Sequence, residues 1–208
     1  MASYVEIHPD NPQDRLVQKV VDRLRQGEVI ALPTDSAYAI ACTMGNKEGL
    51  ERIRRIRQVG EKHHFTLLCH NFAQLGELVI VGNTHFRLVK SLTPGPYTFI
   101  LKGTKEVPRT TLNPKKSTIG VRIPDHRITQ AIVGALGEPL LSSTLIIPGE
   151  DEPLTEGWVV AERLGNALDV VVEGPVSEGR PTTVLNLSDG NVMIDRVGAG
   201  DISMFEVQ

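Results

Sequence analysis

The 208-residue chain has only two cysteines, Cys42 and Cys69. That is too few for a disulfide scaffold, and neither has metal-ligand spacing to a second thiol or imidazole. Both sit in apolar stretches and read as small core hydrophobes. Aromatic residues make up 4% of the chain, which leaves few stacking platforms for single-stranded nucleic acid. No apolar run approaches the roughly 20 residues of a membrane helix. The start of the chain lacks a basic segment followed by an apolar one, so no secretory signal is expected. A cytoplasmic protein without a membrane partner is the expectation. The sequence also lacks a Walker-type loop, a Gly-x-Gly-x-x-Gly and a Gly-x-Ser-x-Gly. These absences argue against the common nucleotide folds and the serine hydrolases. None of the six histidines has ligand spacing to another, and His63 and His64, being adjacent, point apart on any regular element.

Charge is unevenly distributed. Through Gln130 there are 19 Lys+Arg against 12 Asp+Glu, a balance of +7, and from Ala131 onward 3 against 13, a balance of −10. Basic residues cluster at Arg52, Arg54, Arg55, Arg57 and Lys62, and again from Lys102 to Arg127. Clustered positive charge concentrates phosphates, so an anionic ligand of the first part is one reading and a set of solvated faces the other.

Hydrophobic spacing predicts helices over 13–26, 47–57, 84–92, 127–136 and 157–164. Short apolar, β-branched runs predict strands over 29–32, 65–69, 97–101, 118–123, 140–147, 170–172, 183–187 and 192–196. Elements alternate with short connections and no repeat or low-complexity linker intervenes. One α/β domain over residues 1–208, built on a twisted sheet with flanking helices, follows. Asp189-Gly190 reads as a hairpin turn, so the sheet is expected to be mixed.

The stretch Glu28-Val-Ile-Ala-Leu-Pro-Thr-Asp-Ser-Ala-Tyr38 is the most informative. Proline cannot donate to a ladder, so the strand should end at Pro33 and leave Thr34, Asp35 and Ser36 at a strand-to-loop junction. Such junctions bind ligands in α/β proteins, although an ordinary turn uses the same residue types. Other polar side chains recur at predicted strand ends: Arg55 and Arg57, His70, Thr118 and Arg122, Ser142 to Thr144, Thr182 and Thr183, and Arg196. Hydroxyl and guanidinium groups without an acid/base dyad suit a site that clamps phosphate and carboxylate. Arg55 and Arg57 can share a ligand only if their helix ends between them, because residues two apart face different directions.

Four ordered segments resemble the signatures of the YrdC/YciO family: Pro33-Thr-Asp-Ser-Ala-Tyr38, Thr93-Pro-Gly-Pro-Tyr-Thr98, Ser117-Thr-Ile-Gly-Val-Arg-Ile-Pro124 and Pro181-Thr-Thr-Val184. Phe65-Thr-Leu-Leu-Cys69 and Thr104-Lys-Glu-Val-Pro-Arg109 resemble the YciO branch. The resemblance implies a twisted mixed sheet with a large concave basic cavity. It implies threonylcarbamoyl-AMP synthase-like chemistry, in which ATP with Mg²⁺, bicarbonate and L-threonine give a carbamoyl-adenylate used for tRNA modification. A non-catalytic protein binding double-stranded RNA or tRNA is the alternative that the same fold implies, and the basic balance agrees with it.

Transferred residue by residue, the resemblance places Thr34, His70, Arg122, Ser142 and Thr182 at the amino acid. It places Thr118, Thr144 and Arg196 at the nucleotide, and Arg55 and Arg57 at the reacting phosphate. Two family motifs are altered. Lys-x-Arg stands as Arg55-Ile56-Arg57, and Ser-x-Asn as Thr144-Leu145-Ile146. An isoleucine cannot bond phosphate or order a metal-bound water, so weak or altered activity is expected. One lost contact of that kind is worth roughly 2–4 kcal/mol in the transition state.

Overall fold

The computed structural model describes residues 1–206. Its frame is a ten-stranded mixed sheet in the order β1-β8-β2-β3-β7-β4-β6-β5-β9-β10. The strands are β1 (Ser3–Glu6), β2 (Ile30–Leu32), β3 (Ala39–Thr43), β4 (Thr66–Leu68) and β5 (Tyr97–Lys102). They continue with β6 (Thr118–Arg122), β7 (Leu140–Thr144), β8 (Val170–Glu173), β9 (Thr183–Asn186) and β10 (Met193–Arg196). Six helices flank them: α1 (Asp14–Arg25), α2 (Lys47–Arg57), α3 (Phe72–Leu78), α4 (Asn83–Ser91), α5 (Arg127–Leu136) and α6 (Gly157–Leu164).

Helix limits follow local chemistry. Asn46 caps α2 by accepting from the Gly49 amide at 2.9 Å, and Asn71 caps α3 by accepting from Gln74 at 2.9 Å. Gly137 closes α5 in the left-handed region at φ 77°. Strand β2 stops at Leu32, where Pro33 follows. The expected hairpin is present: β9 and β10 pair antiparallel about Gly190, at φ 86°.

The alternation of strand side chains divides the core. Val29, Ala31, Ile40, Leu67, Phe99, Val121, Leu141 and Leu185 pack on one side with Leu50 and Ile53 of α2. Ile30, Leu32, Ala39 and Ala41 pack on the other, against Val17, Val20, Val21 and Leu24 of α1 and Ile128, Ile132 and Val133 of α5. Three regular elements lie outside the sequence expectation: β1, β3 and α3. Strand β3 reads Ala-Ile-Ala-Cys-Thr, with little β-branched signal, yet it joins β2 to β7 at the centre of the sheet. Among the described residues, no helix is long and apolar enough to cross a membrane.

Candidate functional site

The β7-β4-β6-β5-β9 half of the sheet presents Ser142 and Thr144, Thr66 and Leu68, Gly120 and Arg122, Thr98 and Ile100, and Thr182 and Val184 to one cavity of about 380 Å³. These residues keep the same parity along each strand, so one face forms the floor. Gly120 opens that floor: a Cβ there would stand 2.8 Å from Thr66 Oγ1 and 3.0 Å from Thr98 Cγ2. The wall comes from Thr34, Ser36 and Ala37 after β2, from Arg57 and the following loop, and from Asp195 and Arg196 of β10.

The β2–β3 turn is a closed hydrogen-bond chain. Thr34 Oγ1 donates to the Ala37 carbonyl at 2.6 Å and accepts from the amides of Ser36 and Ala37 at 3.1 and 3.2 Å. With the Thr34 proton committed, the contact between Ser36 Oγ and Thr34 Oγ1 at 3.0 Å is a Ser36 donation. Arg122 Nη1 then donates to Ser36 Oγ at 3.0 Å, and Nη2 to the carboxylate of Asp35. Asp35 also accepts from the Asp125 amide at 3.0 Å. Arg122 Nε is buried without a partner.

At the far side Arg196 Nε donates to the Thr182 carbonyl at 2.9 Å and Nη2 to Thr182 Oγ1 at 3.2 Å, while Thr98 and Thr182 share a 2.7 Å hydroxyl contact. Strand pairing shifts between Ile194 and Arg196, a bulge that brings adjacent Asp195 and Arg196 to the cavity together. Arg57 Nε donates to Ser143 Oγ at 3.2 Å and Nη1 to the Ile146 carbonyl at 2.8 Å. Burial lowers the pKa of Arg57, Arg122 and Arg196, although guanidinium stays charged throughout the working range. Arg122 is paired with Asp35, but among the described residues Arg57 and Arg196 have no carboxylate partner.

Of the residues expected at the site, Thr34, Arg57, Arg122, Ser142, Thr144, Thr182 and Arg196 line this cavity. Thr118, of the same strand parity as Gly120 and Arg122, is buried outside the lining, with its hydroxyl 3.1 Å from His64 Nε2. Two more of the expected residues lie outside this cavity. Arg55 is exposed and turns to a separate groove with Lys47, Glu48, Glu51 and Arg52. Helix α2 runs unbroken through Arg57, and residues two apart on a helix diverge. His70 is also exposed and packs on α5: its ring lies over Gly134 and its Nδ1 is 2.9 Å from Gln130 Oε1.

Among the cavity residues that were not anticipated are His63, His64 and Asp195. The two histidines sit in a loop outside regular structure, so the rule that neighbours diverge does not apply to them. His63 Nε2 lies 3.0 Å from Ser143 Oγ and its ring is edge-on to Phe65 at 5.1 Å. No pattern in the sequence reports such a loop, although the run of polar residues after α2 marks where it is. Among the described residues no cluster of three or more His, Cys, Asp or Glu could hold a metal, and Asp195 is the acidic lining residue.

The fold and this arrangement define an α/β protein with a cavity on one face of its sheet, lined by hydroxyl, imidazole and guanidinium groups. The chain belongs to the Sua5/YciO/YrdC family, whose model, described as "Telomere recombination", matches residues 22–198. YciO of Escherichia coli K12 is 45% identical over 99% of this chain and 100% of its own length. Its crystal structure superposes with a TM-score of 0.95 over 99% of this chain and 100% of the other. A threonylcarbamoyl-AMP synthase of Vibrio vulnificus is 28% identical over 81% of this chain and 91% of its own. Sua5 of P. abyssi complexed with L-threonine has the same fold, with a TM-score of 0.84 at 22% identity, covering 95% of this chain and 57% of that one.

Proposed function

We propose that the cavity binds MgATP and an amino acid, L-threonine or a relative, and forms a carbamoyl-adenylate with bicarbonate. The observation that carries this reading is a pair of guanidinium groups in one cavity, Arg57 half-buried and Arg196 on the exposed strand β10, that among the described residues have no carboxylate partner. Arginine's fork matches phosphate, and burial makes an anion its favourable partner. Arg122 and the hydroxyls of Thr98 and Thr182, also in the lining, supply a second polar end, suited to an amino acid. The synthase activity of the Vibrio relative supports the reaction class.

The chemistry needs no protein nucleophile. The amino group of the substrate and bicarbonate give a carbamate with loss of water. A carbamate oxygen then bonds to the α-phosphorus, the bond from that phosphorus to the bridging oxygen breaks, and pyrophosphate leaves with the bond's electron pair. Arg57 and Arg196 offset the developing charge, so catalysis is positioning and electrostatics. Asp195 is the one lining carboxylate that would face Mg²⁺, which would be brought by the phosphates and would supply further charge neutralisation there. Ile146 lines the cavity where the resembling enzymes carry an amide, which supports a slow reaction or an altered substrate. Isothermal titration of MgATP, with and without L-threonine, tests the reading. Millimolar or tighter binding, strengthened by the amino acid, is expected; absence of nucleotide binding would overturn it.

A second reading has its own observation. Lys102 at the end of β5 and Lys105, Arg109 and Lys115 on the segment that follows are exposed, and among the described residues none forms an ion pair. Such exposed positive charge suits the phosphates of duplex RNA or tRNA. Affinity for duplex RNA that falls steeply with salt supports it, and binding undetectable at low salt removes it.

A further inference from the structure

We propose that His63 and His64 are anion-binding residues of this cavity, and that they take up a proton as a polyphosphate enters it. The proposal rests on the reading of the cavity as a phosphate site and adds to it two residues and a linked proton.

The geometry is specific. Both rings line the cavity, each with Nε2 against a buried hydroxyl, Ser143 Oγ at 3.0 Å and Thr118 Oγ1 at 3.1 Å. Arg57 Nε already donates to Ser143 Oγ, so the serine's own proton is free to go to His63, which then accepts as a neutral ring. The surroundings of His63 are cationic from almost every side. Arg57 and Arg54 face it from α2, His64 from its own loop and Arg196 from β10. Asp195 of β10 and Lys116 from the segment before β6 act on His64 with opposite signs. Asp195, half occupied by the Asn186 amide at 3.1 Å, is the acidic group of the lining.

A wall of cations with one acid is unfavourable until an anion arrives. In the empty cavity burial, then these neighbouring charges, push the pKa of His63 down to about 4, and burial lowers that of His64. A phosphate oxygen beside the rings reverses the sign of the local field and favours the imidazolium. The rings would then supply the positive charge that a lysine ammonium supplies at other phosphate sites, but only when ligand is bound.

Calorimetric titration of the full chain near neutral pH, with MgATP and separately with magnesium tripolyphosphate, reads the proton directly. Each is run in two buffers of different ionisation enthalpy. Uptake on the order of half to one proton per bound anion is expected around pH 6.5. His63→Gln and His64→Gln should each lower it and weaken binding several-fold at low pH but little at pH 8. Glutamine preserves a side-chain partner for Ser143 and Thr118. The parent's proton count also needs no variant: binding without uptake overturns the proposal however the variants fold. Binding of ATP with equal uptake in parent and double variant overturns it while leaving the nucleotide reading intact. Tripolyphosphate binding with uptake, and no ATP binding, sustains it and removes the nucleotide reading. Failure of both anions to bind removes both.

Discussion

Arg122 and Asp35 form an ion pair whose side chains are only 5% and 8% exposed, joining the middle of the sheet to the turn after β2. Breaking one member of a buried pair leaves an uncompensated charge and costs more than removing both. Asp35→Asn is therefore expected to destabilise the chain by about 3–5 kcal/mol, and Asp35→Asn with Arg122→Gln by less than the first change alone. Denaturant titration of the single and double variants checks the coupling; equal losses would contradict it.

The separation of Arg55 from Arg57 gives a second expectation. Arg57→Ala should weaken MgATP binding by roughly tenfold or more, the scale of one charge-assisted contact to phosphate. Arg55→Ala, on the exposed face of α2, should change it by less than about twofold. Titration calorimetry on the two variants decides it: a larger loss for Arg55→Ala than for Arg57→Ala would contradict the placement of the site.

Acid sensitivity follows from His63. Its pKa is pushed down to about 4 by burial and then by Arg57, His64, Arg54 and Arg196, against 6.5 for a free imidazole. Between those values the unfolded chain binds the proton that the folded chain refuses, so stability rises with pH across that window. The penalty is absent above about pH 6.5 and complete below about pH 4, on the order of 2 kcal/mol after allowance for the partly exposed ring. His63→Gln should flatten this part of the stability curve, as measured by denaturant midpoints at successive pH values.

Ile146 bears on rate. Its side chain lines the cavity and its carbonyl holds Arg57 Nη1 at 2.8 Å. Ile146→Asn restores an amide near the proposed phosphate site at little change in volume, and should raise carbamoyl-adenylate formation, by roughly a hundredfold or more if the contact is fully regained. An unpartnered amide would cost roughly 1–3 kcal/mol of stability, so rates are compared per folded chain. A well-folded variant no faster than the parent would shift the cause to the loop carrying His63 and His64.

The legible part of this chain was what repeats locally. Apolar spacing predicts α2, α5 and α6 with the observed limits and most strands to within a few residues, and Pro33 marks the end of β2. Strand β3 escaped because alanine carries little strand signal, and its burial comes from β2 and β7, distant in sequence. At the site, residues on strands and their ends were readable because strand parity aligns them: Thr34, Arg122, Ser142, Thr144 and Thr182 reach one cavity. His63, His64 and Asp195 were not, since a loop path and a strand bulge place them. His70 shows the converse, a polar residue after a strand that turns to a helix instead of the cavity.

The most direct test is mass-spectrometric analysis of the chain incubated with MgATP, bicarbonate and a panel of amino acids that includes L-threonine. A carbamoyl-adenylate accompanied by an equal amount of pyrophosphate, both reduced by Arg57→Ala and Arg196→Ala, is the predicted result. A folded chain that yields neither adenylate nor pyrophosphate with any amino acid would contradict the account.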